Sequence, residues 1–407
     1  MLTFKNTFKS LIHRSFRLFF FAQMVSLIGT WVQGVAQSWL LWRLTNSQGL
    51  LGLLGFAQMS PVLFFGLIGG IFADRFERKK LLLLTQSLAL LQAVVFASLI
   101  IFNLINPFLI FLLAFVLGTI NAFDMTGRQT FLADLVGLKD IGNAIALNSL
   151  LFNLARVIGP PIGGFVIAYY GESICFIANA VSFLFVLFAL LMIKIENPQE
   201  KRSPSSLTSI KETFQYFKKQ NSELRVLLLL STVSLLLLPY AYFLPYFADK
   251  VLKGNSETLG FLLSSAGFGA ALGAIVMANN SNIKQMPYLV GIFSLILSFS
   301  MILFSFSTSV ILSSIFLVLA GFSTMISASS SNIFLQTKAP PSMRGRVISF
   351  YVTTFVGFPP LGGLFIGTLT LKFNTPIVLL VCSLIMAIFS LLYLISYQTQ
   401  KLKEATG

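Results

Sequence analysis

Charge is what this sequence has least of. Only 10% of its 407 residues are Asp, Glu, Lys or Arg, against 56% hydrophobic residues, and just 13 carry a carboxylate. A globule dissolved in water covers itself with charge. A chain this poor in it, with a mean hydropathy of +0.87, must use lipid as its solvent. Cysteine is nearly absent too. Cys175 and Cys382 each lie inside an apolar run, which excludes a disulfide framework and a cysteine metal site. The sole histidine, His13, stands in the amino-terminal segment, and no two carboxylates are paired within an apolar run. An intramembrane enzyme would need a nucleophile with its base, or a ligand set, so the chain is expected to be no enzyme and to hold no metal or cofactor. No phosphate-binding loop is present, which removes direct drive by ATP.

What the sequence does have is apolar runs of about 20 residues, each long enough to cross a hydrocarbon core of about 30 Å as a helix. A transmembrane barrel would show alternating segments, whereas Leu81 to Leu84 and Leu227 to Leu230 are continuous. Twelve helices are predicted, at 17–44, 48–73, 80–102, 107–128, 143–170, 173–194, 225–250, 257–279, 286–306, 308–335, 345–371 and 374–397. The first is too long and too rich in glutamine for a cleaved signal and is read as retained. With both chain ends placed in the cytoplasm, all but Arg43, Arg156, Lys250, Lys253 and Lys372 of the 28 basic residues fall on or beside the inner face. This is the positive-inside asymmetry, so the net charge of +15 reports topology and contact with anionic lipid, and nucleic acid is not an expected partner.

One long polar stretch, residues 195–223, divides six helices from six, giving an amino-terminal bundle (1–194), a cytoplasmic linker and a carboxy-terminal bundle (224–407). Within the linker, Leu207, Ile210, Phe214 and Phe217 recur at helical spacing, as in an amphipathic helix on the membrane surface; a plain linker is the alternative. The halves echo each other, because Gly159-Pro160-Pro161-Ile162-Gly163-Gly164 in helix 5 returns 199 positions on as Phe358-Pro359-Pro360-Leu361-Gly362-Gly363 in helix 11. Equal places in the helix count are what a duplicated unit requires.

Between helices 2 and 3 stands Gly70-Ile71-Phe72-Ala73-Asp74-Arg75-Phe76-Glu77-Arg78-Lys79-Lys80. It resembles the inner-loop signature of the major facilitator superfamily. The helix 5 segment from Ala155 to Gly164 resembles the antiporter motif of exporters in that superfamily, with Ala155 in place of the usual first glycine. The stretches Asn121 to Phe131 and Asn143 to Arg156, with Met343-Arg344-Gly345-Arg346-Val347, look like the enterobactin-exporter and macrolide-efflux branch. The resemblance implies an all-α membrane protein of twelve helices in two pseudo-symmetric six-helix bundles, working by alternating access in the bacterial inner membrane as a monomer. It further implies an inner latch of Gly70, Asp74, Arg75 and Arg78 with Asp124, Arg128 and Arg346, in which Arg78 pairs with the acid low in helix 4, Asp124. Solvated charges that only stop translocation are the plainer reading.

Gly159, Pro160, Gly163, Gly164, Pro359 and Gly362 would let backbones approach closely while proline bends each helix, with Gly267, Gly269 and Gly273 of helix 8 as the candidate partner. Arg156 lies midway along helix 5, where a charge is costly and marks a functional site by default; a bond to nearby carbonyls is the structural alternative. Ser26, Thr30, Gln33 and Gln37 share one face of helix 1. The superfamily lines its cavity with helices 1, 4, 7 and 10, so Thr30, Gln33, Gln37, Asn121, Tyr242 and Ser327 join Arg156 as candidate substrate contacts, although bonds between helices would also turn them inward. The expected function is export of a small anionic or polar metabolite, a siderophore being the favoured class and protons the candidate coupling ion, through Asp124 or a more peripheral acid. Multidrug or macrolide efflux is the alternative, with lysophospholipid flipping or import behind it.

Overall fold

A computed structural model describes residues 8–194, 213, 215–218, 220–278, 282–341 and 343–406; the side chains of residues 67–75, 138, 284 and 403–406 lie outside the description. Twelve helices are long and apolar enough to cross a membrane. They are α1 (Arg14–Thr45), α2 (Gln48–Arg75), α3 (Arg78–Ile101), α4 (Pro107–Gly137), α5 (Lys139–Tyr170), α6 (Glu172–Met192), α7 (Asn221–Val251), α8 (Ser256–Ala278), α9 (Met286–Phe306), α10 (Val310–Lys338), α11 (Arg344–Leu369) and α12 (Thr375–Thr406). The fold is therefore all-α, as the apolar runs require. The linker periodicity through Leu207, Ile210 and Phe214 lies outside the described residues, of which residues 215–218 are helical and bury Phe217.

Local chemistry sets where the helices stop. Asn106 accepts a hydrogen bond from the Leu109 amide at 3.0 Å, and Pro107 occupies the first turn, where no amide is needed. Asn46, Asn103 and Lys253 take the left-handed conformation between α1 and α2, α3 and α4, and α7 and α8. The largest departure from the expected spans is at α4 and α5. Residues 129–142, expected to form a loop, are helical apart from a single break at Gly137, which holds φ +71°. A polar stretch can stay helical there because its carboxylates have partners, Asp134 with Arg78 and Asp140 with Lys9 and His13. α7 unwinds differently: after Leu236 it passes through a 3-10 turn (Leu238–Phe243) and a π turn (Phe247–Val251), with Pro239 and Pro245 removing backbone donors.

By contact the chain forms two compact units, one of Met1–Thr45, Ala57–Ser205 and Asn255–Gly260, the other of Asn46–Phe56, Ser206–Gly254 and Phe261–Gly407. The first centres on a cluster of Phe16, Phe19, Leu82, Phe131, Leu147 and Leu190. Phe19 and Phe131 meet edge to face with centroids 5.5 Å apart, and Phe96 and Phe176 stack at 4.0 Å. The second is rich in buried serine: Ser294 of α9 bonds Ser327 of α10 at 3.1 Å, and Ser300 donates to the Phe316 carbonyl at 2.5 Å. Lipid offers no hydrophobic drive between helices, so small residues and hydrogen bonds of this kind hold such bundles together.

Candidate functional site

Two exposed stripes run along opposite sides of α5. One carries Leu150, Leu154, Ile158, Ile162, Phe165 and Tyr169, all apolar, as a face against lipid requires. The other carries exposed Ser149 and Phe152, with half-buried Arg156 one turn further on. Further along that second side, Gly159 and Gly163 close against α1, where a Cβ on Gly159 would stand 2.5 Å from that of Trp31. Trp31 also meets the Phe152 ring edge on, with centroids 6.1 Å apart. Arg156 thus stands half-buried one turn from two contacts with Trp31, and it has no ion pair or hydrogen bond among the described residues. Arg156 has no charged echo in the repeat, since the position 199 further on is Phe355.

The other expected contacts divide into engaged and free. Gln33 donates to Gln92 at 3.2 Å and accepts from Asn179 at 2.7 Å, tying α1 to α3 and α6. Gln37 donates to the Ile110 carbonyl at 3.3 Å and accepts from Gln58 at 3.2 Å. Both are 1% exposed. The polar face of α1 is therefore turned into its own unit, while the open side of that helix carries Trp31 and Gly34, where an added Cβ would meet nothing. Thr30 bonds the Ser26 carbonyl on its own helix at 2.8 Å, and Ser327 bonds Ser294. Asn121 is half-buried with no partner among the described residues. In the second unit, the Tyr242 ring lies against Gly55 and Gly363, and its hydroxyl has no hydrogen-bond partner among the described residues.

At the end of the first unit that carries the start of α1, Arg78 pairs with Asp134 at 2.5 Å rather than with Asp124. Asp124 is instead bonded by Arg128 one turn on, by the Thr85 hydroxyl at 2.9 Å and by Gln86 Nε2 at 2.8 Å. The expected pairing fails because α4 continues past residue 128, so Asp134 lies ten residues beyond Asp124, about 15 Å along the helix. The expected end of helix 4 at residue 128 puts Asp134 in a loop, whereas the continued helix carries it to Arg78. Of the other latch residues, Gly70, Asp74 and Arg75 have side chains outside the description, and Arg346 lies half-buried in the first turn of α11.

The glycine-proline segments pack closely, and α8 is the expected neighbour of the helix 5 segment, though through Ser256 and Gly260 and not through the glycines expected there. In the first unit Gly163 lies against Val32 of α1, Gly164 against the Ser256 carbonyl, and Pro160 against Gly260, with Ser256 donating to the Gly164 carbonyl at 2.9 Å. In the second, Gly362 lies against Leu235 of α7 and Gly363 against Tyr242 and Gly52; Pro359 stands just before them inside α11. Gly269 and Gly273, expected to receive helix 5, face Val318, Phe322 and Met325 of α10 instead. The sequence echo is thus also an echo of contacts, the first glycine of each pair meeting α1 or α7 and the second meeting α8 or α2.

The solved structures that share this architecture are transporters. A bacterial homologue of the human lysosomal transporter Spinster superposes with a TM-score of 0.73 at 15% identity, over 95% of this chain and 97% of that one. The nucleoside transporter NupG does so with 0.68 at 14%, over 95% and 98%. Among curated relatives, the staphyloferrin A transporter of Staphylococcus aureus is 23% identical over 86% of this chain and 87% of its own. The enterobactin exporter EntS of Shigella boydii is 28% identical over 88% and 85%. The profile of the transmembrane secretion effectors matches residues 5–406, nearly the whole chain. This polytopic membrane protein, a transporter and not an enzyme, therefore belongs to the transmembrane secretion effector family of the major facilitator superfamily.

Proposed function

We propose that this protein exports a siderophore or a similar anionic, polar metabolite across the bacterial inner membrane, by alternating access between its two six-helix halves. The observation that carries the reading is Arg156, a cation midway along a span, on the non-lipid side of its helix, with no counter-ion among the described residues. An unpaired charge at that depth is expensive. It is retained at no loss if an anionic cargo completes it during transport. A guanidinium binds carboxylate-like groups through two parallel hydrogen bonds. Asn121 of α4, half-buried and without a partner among the described residues, is assigned to the same cargo as a neutral polar contact. The names of the relatives support the substrate class and the direction.

Both chain ends are assigned to the cytoplasm by the distribution of basic residues, and the two glycine-proline segments are assigned to close packing that must loosen as the halves move. The test compares culture supernatants of deletion and complemented strains under iron starvation. Iron-chelating material should fall in the deletion strain and return with the wild-type gene but not with Arg156→Ala. Equal secretion by all strains removes the siderophore reading.

A further inference from the structure

The first unit encloses polar atoms that its own fold leaves unsatisfied. Gln23 of α1 is 1% exposed, and neither its amide nitrogen nor its amide oxygen has a partner among the described residues. The Nε of Arg128 on α4 and the Oε1 of Gln86 on α3 are orphaned in the same way. These groups share one level of the bundle. α1 and α4 run antiparallel, with Phe19 against Phe131 towards one end and Gln37 bonded to the Ile110 carbonyl towards the other. Interpolation between those two contacts puts Gln23 opposite Thr126 and Gly127, next to Arg128. Gly127 lies against Leu81 and Leu82 of α3, about one turn before Gln86, which donates its own nitrogen to Asp124 at 2.8 Å. Three helices therefore bring unpaired polar atoms to one place in a core otherwise built of Phe16, Phe19, Leu82 and Phe131.

The chemistry of the set names its occupant. Gln23 Nε2 and Arg128 Nε are donors, whereas Gln23 Oε1 and Gln86 Oε1 are acceptors. An apolar occupant would leave all four wanting, and an ion of either sign would repel half of them. Water accepts two hydrogen bonds and donates two, and buried water characteristically fills such polar gaps. We propose that the first unit holds an internal water site at this level, bridging Gln23, Gln86 and Arg128. The bound water completes the surroundings of the buried Asp124–Arg128 pair and gives α1, α3 and α4 exchangeable partners, so that they can shift against one another without stranding a polar group. This site is independent of what the protein transports.

The test is the thermal stability of the purified protein in detergent with Gln23→Met, a substitution close in shape that deletes both amide atoms. If the gap is hydrated, the change strips the water of two partners and lowers the melting temperature. If the gap is dry, the change removes two unsatisfied buried atoms and the melting temperature stays or rises, which overturns the proposal. Should that variant not accumulate, brief X-ray hydroxyl-radical footprinting of the unmodified protein decides, because bound water generates radicals in place. Leu82 should then be modified well above Phe96, an equally buried side chain of the same unit. Equal protection of the two overturns the site.

Discussion

Arg128 and Arg156 are the same residue type on consecutive helices, and their contacts separate them. Arg128 neutralises a buried carboxylate on its own helix, whereas Arg156 has no carboxylate partner among the described residues. Arg156→Ala should therefore leave membrane abundance unchanged and abolish export of an anionic cargo, measured by flux in inverted vesicles. Arg156→Lys should retain part of the flux, since it keeps the charge and loses the planar fork. The opposite pattern is expected at Arg78, whose side chain is 16% exposed beside an Asp134 side chain at 3%. Arg78→Ala takes the guanidinium from that buried carboxylate and should cost on the order of 3 kcal/mol of stability. The double variant with Asp134→Asn should recover much of the loss in thermal melts, which unlinked residues would not do.

At the scale of the helix, the Gly137 break and the glycine-proline segments make separate demands. Gly137 holds φ +71° and ψ 171° with open space where a Cβ would go, so the whole cost of Gly137→Ala lies in the backbone, about 1–3 kcal/mol. Gly137→Asn should cost as much, because ψ 171° lies far from the left-handed helical region that asparagine tolerates, and equal losses of melting temperature in the two variants check this. Gly159 makes the contrary case, as its backbone is helical but Trp31 leaves no room for a side chain. Gly159→Leu should separate α1 from α5 and lower both stability and flux, while Gly66→Ala, which meets nothing, should be neutral. These differences are not legible in composition. A glycine kept for its torsion and one kept for its neighbour look alike until the backbone is placed.

For the whole molecule, reporter fusions along the chain should find both ends on the cytoplasmic face and an even number of crossings. Ends on opposite faces would remove the orientation proposed here. Twelve spans, the repeat and the family were all readable from the residues alone, because lipid imposes one rule on every crossing: a run of apolar residues long enough to satisfy its own backbone. That rule acts on local sequence, so local sequence reveals it. What it could not reveal was partnership. Gln33 and Gln37 looked like cavity residues and proved to be ties between α1 and its neighbours, Asp124 yielded Arg78 to Asp134, and Gly269 faced α10 instead of α5. Each outcome depends on the rotation and depth of one helix against another, which residues far apart in the chain set together.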